Sequence, residues 1–217
     1  HARFRGLLPE HHVVELPQDD ATAATFARCL EHHADELAGI IVEPLVQGAG
    51  GMRFHSEMVL RRLREAADRY QLILVFDEIF TGFGRTGSLF ACEAAGASPD
   101  IITLSKALTG GTLPLSVTIA RDKVFDAFWS DESGAALPHG PTFMANALAC
   151  AAANASLDLF EREPRLRQVA DIALALEHGL APCRGLRGVK DVRVRGAIGV
   201  VELERIDDLE GLRARFM

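Results

Sequence analysis

Apolar residues fall in short unbroken runs along this chain. Between the runs lie longer stretches in which apolar residues recur every three or four positions. The runs are Ile40 to Val42, Leu72 to Phe76, Ile101 to Leu104 and Leu115 to Ala120. None alternates polar with apolar residues, which predicts strands buried on both faces. The stretch 57–70 sets Val59, Leu60, Leu63, Ala66, Ala67 and Tyr70 on one stripe with Arg and Glu opposite, a helical pattern. Ser56 reads as its N-cap, and Glu57 suits the positive end of the helix dipole. A shorter helix is expected over 121–129, with Val124, Phe125 and Phe128 facing inward. An alanine-rich, closely packed helix is expected over 146–160. The character changes after Glu161-Arg162-Glu163-Pro164: a long helix runs to about residue 180, and 189–202 reads as strand. Strands interleaved with helices predict an α/β fold around a mostly parallel sheet. Residues 1–160 are assigned to a large domain and 161–217 to the start of a smaller one.

Composition narrows the function classes. Of 217 residues, 48% are hydrophobic and 24% charged, a globular balance. Lys and Arg total 23 against 30 Asp and Glu, for a net charge of -7. No long basic block interrupts that balance, so neither a nucleic-acid surface nor an anionic membrane is expected as a partner. No apolar run approaches the roughly 20 residues of a membrane span, and His1 to Arg5 holds no apolar signal region. Cys29, Cys92, Cys150 and Cys183 are widely spaced, without a C-x-x-C or a Cys/His pair. They read as free thiols in a reducing, cytoplasmic setting, and no metal site is expected.

Ionisable residues end three of the runs: Glu43, Asp77 and Lys106. Open parallel sheets bind ligands beyond the carboxyl ends of their strands, so unlike charges would gather on one rim. An amine and a carboxylate placed there suit an aldehyde cofactor. The lysine can form a Schiff base with pyridoxal 5'-phosphate, and the carboxylate can keep the pyridine nitrogen protonated. His139-Gly140-Pro141-Thr142-Phe143 supplies a hydroxyl in a tight turn ahead of a helix, a candidate phosphate site. Gly82, Gly84 and Gly87 would let backbone approach a ligand closely, and Arg85 among them could meet a carboxylate.

These segments carry a resemblance. Val75-Phe76-Asp77-Glu78-Ile79, then Thr81 to Gly87, then Ser105-Lys106-Ala107-Leu108-Thr109-Gly110-Gly111, resemble the class III pyridoxal-phosphate aminotransferases. Glu43 to Met52, Phe90 to Glu93, His139 to Phe143 with the following Asn146 to Ser156, and Arg195 to Glu202 are similar to the biotin-synthesis branch of that class. The resemblance implies fold type I, the aspartate-aminotransferase-like α/β architecture, and pyridoxal 5'-phosphate as cofactor. It implies that Lys106 binds the cofactor and shuttles the proton, that Asp77 pairs with the pyridinium nitrogen, and that Ile79 packs on the ring. Pro141 and Thr142 would meet the phosphate of cofactor held by a neighbouring subunit, and Gly140 and Arg85 would border substrate. A homodimer with shared active sites follows from that arrangement. The implied reaction moves an amine from S-adenosylmethionine to 8-amino-7-oxononanoate, giving 7,8-diaminononanoate.

Members of that family are about twice this length. The chain is therefore expected to be an internal segment, inactive alone, without the upstream Gly-Ser phosphate loop and the downstream carboxylate-binding arginine. Other readings stay open at this point. One is another class III ω-aminotransferase, acting on ornithine, 4-aminobutyrate or an amino alcohol. Another is a non-catalytic fragment that only dimerises. The amino donor is open between S-adenosylmethionine and lysine.

Overall fold

A computed structural model describes residues 11–216, apart from the side chain of Ser133. The start of the chain, His1 to Arg5, lies outside the described residues. In chain order the elements are α1 (Asp20–His33), β1 (Gly39–Val42), β2 (Val46–Gln47), β3 (Arg53–Phe54), α2 (Glu57–Arg69), β4 (Ile73–Asp77), α3 (Ala91–Ala95), β5 (Ile101–Leu104), β6 (Val117–Ala120), α4 (Asp122–Phe125), α5 (Ala147–Arg162), α6 (Arg165–Leu180), β7 (Val189–Arg195), β8 (Ile198–Leu203) and α7 (Leu209–Ala214). The central sheet runs β1-β4-β5-β6. Its first two pairings are parallel, and β6 closes it as an antiparallel edge.

The stripe expected on α2 is the stripe that folds inward. Val59, Leu60, Leu63 and Ala67 are buried, and they share one core with Leu74 and Phe76 of β4. Ser56 holds the extended N-cap backbone but makes no side-chain capping bond. Its carbonyl accepts instead from Val59 N at 3.1 Å. The expectation of strands buried on both faces is corrected. Along β4, Leu74 and Phe76 are buried while Ile73, Val75 and Asp77 are half-buried, and Ile41 on β1 is 70% exposed. Only one face is covered by described residues, because successive side chains of a strand point to opposite sides.

Two helix and strand expectations also change. The helix over 121–129 shortens to α4, and Phe125 and Phe128 lie exposed. Phe125 stacks on Trp129 at 5.4 Å between centroids, so the aromatic residues cover each other rather than the core. The strand over 189–202 is a hairpin of two strands, turned at Gly196 with φ +54°. That turn presses on the loop after β4: a Cβ on Gly196 would stand 2.5 Å from the Arg85 carbonyl oxygen. The bend near Pro164 separates α5 from α6, as expected where proline removes an N–H.

A buried carboxylate ties the layers together. Asp100 has no exposed side-chain surface and lies just before β5. It accepts from Leu74 N on β4 at 2.9 Å and from Arg64 on α2 at 2.9 Å. Lys123 on α4 pairs with its other oxygen at 2.6 Å. Burial alone would push this carboxyl up, but the Leu74 amide, Lys123 and Arg64 outweigh it and hold it down at about 2, against an ordinary 3.8.

The sign of the linkage follows. With the folded value depressed, the contribution of Asp100 is full above about pH 4 and is lost as pH falls through about 2, a difference of about 2 kcal/mol. Urea unfolding should show this loss, and Asp100→Asn should flatten the acid limb. Asp100→Ala, which leaves the buried Leu74 amide unpaired while half-buried Arg64 keeps Asp68, should cost about 1–3 kcal/mol near neutral pH.

Candidate functional site

The rim is built by chain geometry that can be followed residue by residue. Strand β1 ends at Val42, and Glu43 follows. The buried imidazole of His55, kept neutral chiefly by its burial, donates from Nε2 to the Glu43 carbonyl at 3.1 Å. This bond holds the backbone where the strand turns away. Glu43 Oε1 then lies near Gly48, where an added Cβ would come within 3.4 Å of it and 3.2 Å of the Phe80 ring. Any side chain at 48 would therefore crowd both groups.

Asp77 is the last residue of β4 and stands in register with Thr103 of β5. Its Oδ1 accepts from Ile79 N at 3.1 Å and from Thr103 Oγ1 at 3.2 Å. Both bonds fall on one oxygen, which fixes the carboxylate and leaves the other oxygen for a further donor. Lys106 begins the turn after β5. Its backbone is left-handed, with φ +47°, a conformation that costs a non-glycine residue free energy unless its surroundings enforce it.

The surroundings of Lys106 do enforce it. Ser105 Oγ donates to the Leu115 carbonyl at 2.7 Å, and Thr109 Oγ1 to the Leu113 carbonyl at 2.6 Å. Ser156 of α5 donates to the Ala107 carbonyl at 3.1 Å. The alanines of α5 have their use here: Ala149 and Ala153 are buried, and small side chains let the helix approach the turn. The Lys106 Nζ lies 5.4 Å from the Phe80 ring centre.

The three charged ends act on one another. Burial raises the carboxyl of Glu43, and the charge of Asp77 raises it further. The Gly48 amide and the charge of Lys106 pull the other way. Acid and amine, expected from sequence on one rim, are thus within electrostatic reach of the same group. Ile79 follows directly, half-buried. The donor set of a fixed carboxylate and an exposed amine fits a cofactor with a ring nitrogen at one end and an aldehyde at the other.

Other expected residues make no hydrogen bond to this rim among the described residues. Gly140, Pro141 and Thr142 are exposed, and among the described residues no hydrogen bond joins them to Asp77 or Lys106. The turn precedes a helix, as expected: α5 begins at Ala147, and the Asn146 side chain accepts from Leu148 N and Ala149 N. Arg85 is exposed, with its carbonyl accepting from Ala197 N at 3.0 Å. The glycines near it serve the chain's own packing. A Cβ on Gly82 would lie 2.9 Å from the Glu78 carbonyl oxygen, and one on Gly84 3.1 Å from Leu166.

Glu78 is the residue that the sequence reading left without a role. It is fully buried beside Asp77 and accepts from Ala91 N at 2.8 Å, Cys92 N at 2.9 Å and Thr81 Oγ1 at 3.3 Å. One carboxylate therefore closes the whole loop between β4 and α3. Burial raises its carboxyl against these bonds. Burial and then the charge of Glu78 push the Cys92 thiol up to about 11, so this cysteine stays protonated and unreactive. A carboxylate next to the last strand residue, ahead of a loop rich in Gly and Thr, was the available signal.

Two outcomes are expected. Asp77→Asn removes a neighbouring negative charge, so the Glu43 titration midpoint should fall, whereas Lys106→Ala should raise it; carboxyl-labelled NMR reads both. Glu78→Ala leaves two buried amides unpaired, so it should cost about 2–4 kcal/mol and open residues 79–90 to limited proteolysis.

Comparison with known proteins places this geometry in a lineage. The sequence matches the aminotransferase class-III family over residues 2–215. It is 49% identical over 191 residues to the adenosylmethionine-8-amino-7-oxononanoate aminotransferase of Mycobacterium leprae, covering 88% of this chain and 44% of that protein. It is 43% identical over 215 residues to the Corynebacterium glutamicum protein of the same name, covering 97% of this chain and 51% of the relative. The crystal structure of an enzyme of that name from Methanocaldococcus jannaschii matches 97% of this chain and 49% of its own, with a TM-score of 0.86 and 32% identity. The chain thus spans about half the length of the curated relatives it matches. With its α/β sheet shared with solved transaminases and its sequence matched nearly throughout, the chain belongs to the class-III aminotransferase family.

Proposed function

We propose that the protein carrying this chain is a transaminase dependent on pyridoxal 5'-phosphate, moving an amine from S-adenosylmethionine to 8-amino-7-oxononanoate in biotin synthesis. The observation that carries the reading is the pair at the ends of adjacent parallel strands: Asp77 on β4, and Lys106 just beyond β5, both acting on Glu43. The names of the relatives support the choice of substrates.

Bound pyridoxal 5'-phosphate would supply an electron sink for a carbanion at the substrate carbon. The residues do the rest. Asp77, held by Ile79 N and Thr103 Oγ1, would keep a proton on the ring nitrogen. Lys106 Nζ would hold the cofactor at its aldehyde end and move the proton at the substrate carbon. Ile79 would pack against the ring. Glu43, with its raised carboxyl, is a polar neighbour of both. Arg85 offers a cation to a substrate carboxylate. Gly140, Pro141 and Thr142, exposed on their turn, serve the substrate and phosphate of a neighbouring subunit, so the working unit is a homodimer. Residues 161–217 begin the smaller domain. The four free cysteines support a reducing, cytoplasmic setting as part of this reading; among the described residues no helix is long and apolar enough to cross a membrane.

The full-length gene should restore growth to a biotin auxotroph, and Lys106→Ala should abolish both rescue and the visible absorbance of bound cofactor. Its turnover should fall by at least the roughly 10²–10⁴-fold that a positioned proton-transfer group supplies. Failure to rescue, with activity toward ornithine or 4-aminobutyrate, would reassign the substrates within the family. Absorbance unchanged in Lys106→Ala would remove the lysine from its role.

A further inference from the structure

Spacing along the chain suggested no metal ligands, yet the fold brings together three that lie far apart or on different elements. His12 sits in the extended segment before α1, His33 is the last residue of that helix, and Glu36 lies in the turn that follows. Their ligand atoms all lie within 4.8 Å of one another. The His12 and His33 rings are 4.0 Å apart between centroids, and His33 Nδ1 is 3.4 Å from Glu36 Oε2. A tetrahedral zinc with bonds of about 2.0–2.1 Å needs ligand atoms about 3.3 Å apart. The His33–Glu36 pair already meets that spacing; His12 must swing outward, because two imidazoles on one tetrahedral ion stand about 5 Å apart between centroids, against 4.0 Å here.

We propose that His12, His33 and Glu36 form a site for one borderline divalent cation of the zinc type, with water completing the tetrahedron. Two imidazoles and a carboxylate suit zinc, nickel or cobalt rather than magnesium, which demands near-octahedral oxygen ligation. The site stands at the carboxyl end of α1, where the helix dipole favours a cation. His32 packs edge-on against His33 at 4.7 Å and steadies the ring from outside the ligand set.

The position argues for a structural role. Glu36 precedes the amino end of β1, whereas Glu43 follows its carboxyl end. Four strand residues at about 3.3 Å each keep the ion roughly 10 Å or more from the catalytic rim. Bound there, the ion would pin the extended segment to the end of α1. That segment is otherwise held by Val14 and Leu16 packed against the core and by Arg62, which donates to the Pro17 carbonyl at 2.9 Å.

Zinc titrated calorimetrically into the metal-free protein should bind at one ion per chain. Loss of His33 to alanine should weaken it by more than the roughly 10–100-fold that removal of an outer-shell partner costs. His12→Ala should do likewise, and His11→Ala should leave affinity within about twofold. Cobalt should give visible ligand-field bands on the parent protein and none on His33→Ala. Excess magnesium should not displace either ion. Absence of saturable zinc binding overturns the site, and so does affinity unchanged in both His12→Ala and His33→Ala. None of these readouts depends on transaminase activity.

Discussion

Asp77 and Thr103 face each other across two parallel strands, and almost everything chemical in the chain follows from that register. A one-residue slip would turn Asp77 to the other side of the sheet, into the core with Phe76. In register, the carboxylate stands on the uncovered face, is fixed by Thr103 Oγ1, and has the start of the Lys106 turn beside it. Parallel pairing also sets the direction. Because β1, β4 and β5 run the same way, their carboxyl ends share one edge, and three charged residues meet there without any special local motif.

That edge must be held against its own costs. A left-handed backbone at Lys106 and a buried carboxylate at Glu78 both oppose folding taken alone. Each is offset by neighbours: hydroxyl-to-carbonyl bonds and a close-packed alanine helix around the lysine turn, and two backbone amides and a threonine around Glu78. The loop after β4 is consequently part of the core rather than a mobile flap. The hairpin β7–β8 adds to this by seating Gly196 on the Arg85 backbone. At the opposite edge, Asp100 clamps α2, β4 and α4 through charge. The Asp100 charge clamp and the Asp77–Lys106 rim thereby lie at opposite ends of the same strands.

Much of this was legible in the residues. The apolar runs located β1, β4, β5 and β6, because each is a short run without a charge in its middle, bounded by polar residues. The stripe on α2 was legible because a 3.6-residue period leaves only one way to bury it. Asp77 and Lys106 could be named because charges at strand ends mark the ligand edge of such a sheet. What escaped were features that depend on partners distant in sequence. The antiparallel sense of β6, the outward turn of Phe125 and Phe128, and the His12–His33–Glu36 cluster all arise from where the chain returns in space.

The sequence by itself therefore determined the class of the fold and the approximate places of its central strands, since both are written in local periodicity and residue type. Tertiary structure alone decided which face of the sheet lies open, which carboxylate caps the loop, and which histidines meet. Those depend on distances between segments far apart in the chain, and no local pattern encodes a distance of that kind.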